Sequence, residues 1–167
     1  VKGLIEKHHA EASAKGIRII PSCGFDSIPS DLGAFFSAQA IGKPIKRIES
    51  FHSYKGGASG GTLETMFSMG ELDLGDDLTN PFLLNPEDSY SDEQMQLSSD
   101  RVGIAKKSEI NAWSGPFIMA TANTRVVRRT EALLALRQES YGPDFTYQEH
   151  AFHKSWWSAA KSLVLTG

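Results

Sequence analysis

The sequence predicts an α+β fold, and three observations carry that expectation. Residues 1–20 read as a helix followed at once by a short β-branched run, IRII. Residues 124–137, TRVVRRTEALLALR, place Val126, Val127, Leu133 and Leu134 at helical spacing. Residues 45–54 and 145–153 alternate as half-exposed strands do. A length of 167 residues fits one domain, or one domain with part of another.

The elements follow in order. Leu4, Ile5, His8 and Ala12 give residues 1–15 one helical face, and Gly16 stands where a left-handed cap would end it. The run 17–20 directly behind reads as a buried strand of a parallel sheet, the tail of a βαβ pattern. A loop, SCGFDSIPSDLG, then enters a helix over about 30–41 with Leu32, Phe35, Phe36 and Ile41 as its apolar face. Pro29 fits only the loop or the first turn, with Ser27 or Ser30 as N-cap and Asp31 near the positive helix end. After the 45–54 strand, the glycine-rich KGGASGGT precedes a helix with Leu63, Met66 and Phe67 on one face. Residues 73–108 are rich in turn formers and read as a long irregular excursion, either a lid or a mobile segment. Residues 110–123 read as a strand pair or bulged strand broken at Ser114, Gly115 and Pro116. The helix at 124–137 should bury its apolar stripe with its arginines outside, and SWWSAAKSLVL at the end reads as a helix.

Composition narrows the function classes. A 40% hydrophobic and 22% charged chain with 9 Phe, 4 Tyr and 3 Trp can bury a core. A net charge of -3 creates no field that gathers nucleic acid. One cysteine forms no internal disulfide, and no run approaches the ~20 apolar residues of a membrane-spanning helix, so a cytoplasmic location is expected. The start at Val1, inside a helix and without an initiator Met, points to a piece of a longer chain.

Three groups of residues carry chemistry. The loop from Cys23 to Asp31, with Gly24, Phe25, Asp26, Ser27 and Ser30, is a strand–glycine loop–helix arrangement able to meet an anion or a polar substrate group; plain capping is the commoner role of such residues. Ser59, Gly60, Gly61 and Thr62 form a second candidate rim, without the Lys-Ser/Thr ending of a phosphate loop. Tyr147 and Glu149 lie two apart on one strand, hence on one face, where they serve proton transfer or pair with the arginines of the preceding helix; pairing is the commoner outcome. Asn123, Arg125, Arg128 and Arg129 suit a carboxylate or phosphate, or simply form a solvated cationic face. Cys23 as a nucleophile would need a histidine base, and nothing in the sequence ties one to it. His150 and His153, three apart on a strand, fall on opposite faces, so no metal site is expected.

Four blocks in this order, CGFDSIPSDLG (23–33), SGGTLETM (59–66), WSGPFIMATANTRVVRRTEALL (113–134) and YGPDFTYQE (141–149), resemble the saccharopine-dehydrogenase-like oxidoreductases, including those described as trans-acting enoyl reductases. The resemblance implies a Rossmann domain that binds NAD(P), followed by a substrate-side domain that also forms a homodimer. On that pattern residues 1–22 are the tail of the Rossmann domain. Residues 23–167 are the substrate-side domain, with a mixed, largely antiparallel sheet and helices packed on one face. The family's glycine fingerprint has no counterpart here, so NAD(P) belongs to the full-length protein and is not expected to bind this chain tightly. The implied reaction moves a hydride to or from a C=N, C=O or activated C=C bond of a small-molecule substrate. The implied partner in cis is the chain's own Rossmann domain, and this piece alone is expected to be inactive. Cys23–Asp31 and Ser59–Thr62 are then the substrate- or cofactor-facing loops, and Tyr147 or Asp26 the proton-transfer candidates. A binding and dimerisation module without catalysis remains the alternative.

Overall fold

The computed structural model describes residues 1–53 and 79–166. The predicted SGGT rim at Ser59–Thr62, the helix behind it and the first part of the excursion lie outside the described residues. Helix α1 (Lys2–Ala14) ends as the sequence predicts. Gly16 takes φ +65°, the Gly16 N–H donates to Ser13 and the Ile17 N–H to Ala12, the paired bonds of a Schellman cap.

Residues 17–20 are not the buried strand expected of them. Ile17, Ile19 and Ile20 are 55%, 68% and 71% exposed, and no strand pairs with them among the described residues. Periodicity reports only that a run suits a sheet; a strand forms where a neighbouring ladder receives its N–H and C=O groups.

Helix α2 (Ile28–Ile41) starts two residues before its predicted start, with Pro in its first turn and Gly42 as a left-handed cap. Of its predicted inward face only Phe35 packs on the core. Ser30 and Ala34 are buried, Phe35 and Ala38 pack partly on the core, and Leu32, Phe36 and Ile41 stay exposed. Small inward residues let the helix backbone lie close to its neighbour, which a row of Leu and Phe would hold away.

Strand β1 (Arg47–His52) follows. The described part of the excursion contains a short helix, α3 (Asp92–Leu97), opened by a full capping box between Ser91 and Gln94. Strand β2 (Ala105–Lys107), a 3-10 turn and β3 (Ala112–Gly115) come next. Helix α4 (Ala120–Ala135) begins four residues before its predicted start and takes over the end of the expected strand pair. Strand β4 (Thr146–His153) and helix α5 (Trp156–Thr166) complete the chain. Trp156 and Trp157 meet edge to face at 4.8 Å and remain partly or largely exposed.

Among the described residues the architecture is α+β around a mixed four-stranded sheet in the order β1-β4-β3-β2. The β1–β4 pair is parallel and the other two pairs are antiparallel. Helices α4 and α5 pack on β4, and α2 packs on α4. Glu149 meets α4 and His153 meets α5, and both are odd-numbered positions of β4, so the two helices share one sheet face. On the other face Gln148 donates to the carbonyls of Leu97 and Ser99. Ala34, Ile45, Val127, Tyr141, Phe145 and Tyr147 form the apolar core.

The arginines of α4 reverse the expectation most sharply. Arg128 is 1% and Arg125 4% exposed, whereas Leu133 and Leu136 face solvent. Arg128 donates to the carbonyls of Pro81 (2.9 Å) and Tyr147 (2.8 Å), and its guanidinium lies over the Phe82 ring. Arg125 binds Asp100, and Arg129 donates to the Leu84 carbonyl. A planar fork with five donors can satisfy buried carbonyls that no apolar side chain could, and this outweighs the burial penalty. That penalty is visible in Arg128, whose pKa burial pushes down to about 9, helped by the neighbouring charge of Arg125. These bonds fasten the described part of the excursion to α4.

Candidate functional site

The buried polar groups converge where β1, β4, α4 and the start of α2 meet. Alternation along β4 places Tyr147 and Glu149 on the helix-covered face, as the sequence predicts. Parallel pairing sets Ser50 beside Glu149 and His52 beside Ala151. The Tyr147 hydroxyl donates to Glu149 Oε1 at 2.7 Å, and Asn123 Nδ2 of α4 donates to Oε2 at 3.1 Å. Asn123 also receives the Ser27 hydroxyl at 2.9 Å and reaches Ser30 Oγ at 3.2 Å, which ties the α2 entrance to the same carboxylate. His52 Nε2 lies 3.6 Å from Glu149 Oε1 and 2.9 Å from Ser50 Oγ. Its ring stacks on Phe117 with centroids 4.4 Å apart and planes 2° from parallel.

Tyr147, Asn123 and Glu149 are each 2% exposed or less. The imidazole of His52, by contrast, keeps 26% of its surface accessible. Burial raises the Tyr147 pKa strongly, and the adjacent Glu149 charge raises it further. The phenol therefore stays protonated and holds its donor on the carboxylate. The result is a chain of hydrogen-bonding groups with a buried carboxylate at its centre and an imidazole at its accessible end. Such a chain can store and relay a proton.

Glu149 forms no direct ion pair with the arginines of α4, although its charge acts on buried Arg128 through space; tyrosine, asparagine and histidine surround its oxygens. Arg128 approaches Tyr147 through the backbone carbonyl. Of the predicted loop, Ser27 and Ser30 enter the buried network. Asp31 accepts from Thr130 of α4 at 3.0 Å, and burial raises its pKa. Cys23, Gly24, Phe25 and Asp26 stand exposed on the loop, Phe25 at 89%. The Cys23 thiol turns to the carbonyls of Ile20 and Pro21 rather than to a histidine. His150 stacks on Phe51, whereas His153 sits between Ser158 and Ser162 on the other face.

Sequence reasoning did not put His52, Ser50 or Phe117 in the site. Ser50 and His52 are two apart in a predicted strand, the same signal that linked Tyr147 to Glu149. What the pattern lacks is which strand lies beside it.

Among the described residues no group of three or more potential metal ligands occurs. The start of α2 does not fit a dinucleotide pyrophosphate either. The Ser27 and Ile28 N–H groups both donate to the Gly24 carbonyl, Pro29 has none, and the Ser27 hydroxyl is spent on Asn123.

No protein-family model matches the chain, and no solved structure matches it significantly. Among curated proteins, a Mycobacterium tuberculosis protein described as "Putative trans-acting enoyl reductase" is 34% identical over 162 residues, 89% of this chain and 38% of the relative. The trans-acting enoyl reductase of Mycobacterium leprae is 32% identical over 183 residues, 99% of this chain and 42% of its own length. That of Mycobacterium ulcerans is 28% identical over 181 residues, with 99% and 43% covered. The chain is thus similar along nearly all its length to trans-acting enoyl reductases, of which it spans about two fifths.

Proposed function

We propose that this chain is the substrate-side and dimerisation portion of an NAD(P)-dependent oxidoreductase of the saccharopine-dehydrogenase-like kind, acting on an enoyl substrate. The observation that carries the reading is the similarity to trans-acting enoyl reductases over 89% to 99% of the chain. In this reading the dinucleotide is held by a Rossmann domain elsewhere in the full-length protein. The plugged start of α2 supports that division, since three of the donors a pyrophosphate would use are bonded or missing. This chain contributes the buried Tyr147–Glu149–Asn123 network and the surface that orients the substrate. The loops at Cys23–Asp31 and Ser59–Thr62 face the substrate or cofactor, with Asp26 as a second proton-transfer candidate on the exposed loop. The portion alone is inactive, the full-length protein is a homodimer, and it works in the cytoplasm.

The test uses the full-length protein. Calorimetry against NADPH and NADH should give micromolar or tighter binding to one of them, and crotonyl-coenzyme A should accelerate oxidation of that dinucleotide. Absence of both binding and turnover would leave the non-catalytic module, which the exposed apolar run at 17–20, unpaired by any strand among the described residues, favours.

A further inference from the structure

We propose that the outer edge of β1 is where two copies of this protein join, their strands running antiparallel about a two-fold axis at Ile48. The inference rests on the homodimer reading above and names the surface for it. β1 is an outer strand of the sheet, and among the described residues it pairs with β4 alone. The Thr146 N–H donates to the Lys46 carbonyl at 2.8 Å. In a parallel ladder with Arg47 beside Thr146, the main-chain groups of Ile48, Ser50 and His52 then turn to β4, and those of Arg47, Glu49 and Phe51 turn outward. Such a row of N–H and C=O groups is a template for another strand.

The side chains along that edge select a copy of the same strand. Arg47 and Glu49 share the sheet face that carries Gln148, away from α4 and α5. About an axis at Ile48, Arg47 of one copy stands directly opposite Glu49 of the other, and the same pair recurs beyond the axis. Both members of each pair turn their main-chain groups outward, so they form the hydrogen-bonded kind of antiparallel pair. Charge pattern and hydrogen-bond parity therefore ask for the same register. Opposite charges facing each other across strands stabilise pairing, and like charges weaken it. Ile48, packed partly against the core, meets its own counterpart at the axis.

Both charged groups have capacity to spare. Lys107 holds Glu49 Oε2 at 2.7 Å, whereas Oε1 has Arg47 of its own strand at 3.7 Å, beyond hydrogen-bond length. The Arg47 side chain keeps 65% of its surface accessible. The opposite outer strand, β2, ends on Lys106 and Lys107, residues of the kind that guard an edge against self-pairing.

The experiment uses the full-length protein and needs no substrate. Light scattering over a dilution series gives the dimer dissociation constant, and hydrogen exchange reads single amides of β1. In the wild-type dimer the Arg47 and Glu49 amides should exchange about 10-fold or more slowly than in the diluted monomer, while those of Ile48 and Ser50 stay protected in both. Arg47→Glu makes both positions acidic and Glu49→Arg makes both basic. Either variant alone should raise the dissociation constant about 10-fold, and an equimolar mixture should form the heterodimer within about threefold of wild-type strength. Should Glu49→Arg fail to fold, the two wild-type amides decide. Variants that dimerise as wild type does, a mixture no tighter than the variants alone, or fast exchange of the Arg47 and Glu49 amides in the dimer overturns this interface and leaves the homodimer reading standing. A wild type that is monomeric throughout the series overturns both.

Discussion

Two glycines make a paired experiment in which the same substitution should act with opposite signs. A Cβ built on Gly142, at φ +156°, would lie 2.6 Å from both the backbone N and the backbone O of Ile45. Backbone atoms cannot swing aside as a side-chain tip can, so the turn ahead of β4 or the lead-in to β1 must move by more than half an ångström. That movement breaks the 2.8 Å bond from the Ile45 N–H to the Tyr141 carbonyl. It also loosens Ile45 and Tyr141, both core members. A lost hydrogen bond at about 1 kcal/mol, and about 1 kcal/mol of lost packing at each of two core residues, give about 3 kcal/mol for Gly142→Ala. For a chain of this size that lowers Tm by roughly 6–12 °C. Gly33 lies inside α2 with nothing within 4 Å of its built Cβ. Gly33→Ala should therefore raise stability by about 0.5–1 kcal/mol through helix propensity alone. Thermal melts followed by circular dichroism read both values. A Gly142→Ala protein melting within about 2 °C of wild type would refute the rigid-contact argument.

Two further outcomes follow from the buried charges. Burial raises the pKa of Asp31, and also that of Glu131, so the native state holds these protons more tightly than the unfolded state. The contribution of these two groups to stability must then fall as pH rises above the ordinary carboxyl value, 3.8 for Asp31. Asp31→Asn should reduce the loss between about pH 4 and pH 7 in urea melts, and an unchanged pH slope would count against the assignment. Arg128→Lys replaces a fork that spans the Pro81 and Tyr147 carbonyls with a single ammonium, leaving one carbonyl without its donor. It should cost about 1–3 kcal/mol, and an unaltered urea midpoint would show that the second bond contributes nothing.

Much of the fold was legible because it depends on local rules. Gly16 and Gly42 end their helices as caps do, Pro29 falls in the first turn, and the alternation of 145–153 became β4 with Tyr147 and Glu149 on one face. The misreadings share a cause, which is that each depended on a neighbour. Arg125 and Arg128 read as solvated because a long cation usually is; the Pro81 carbonyl and the Asp100 carboxylate brought in by residues 80–100, with the Tyr147 carbonyl of β4, give them inward partners. Leu32 and Phe36 read as the buried face of α2 because size predicts burial, yet Ser30 and Ala34 suit the close contact with α4. The strand expected at 17–20 had suitable residues and, among the described residues, no ladder to join. The candidate site divides in the same way: Tyr147 with Glu149 follows from period-two spacing along one strand. His52 joins them only through the parallel pairing of β1 with β4, which no spacing within either strand encodes.

That pairing also bears on the order in which the protein assembles. Arg47 lies opposite Thr146, so the first contact between these strands closes a loop of about a hundred residues, at an entropic cost of order 4 kcal/mol. The β2–β3 hairpin closes within about ten residues, and β3 reaches β4 across a single intervening helix. On contact-order grounds β1 docks late in folding, after β2, β3, α4 and β4 have found one another. We therefore expect pulse-labelled amides of β3 and β4 to gain protection before those of β1, and simultaneous protection would disprove this order. The carboxylate of Glu149 and the ring of His52 would then meet only in the last stage of folding, so a partly folded chain would carry every residue of the site and none of its geometry.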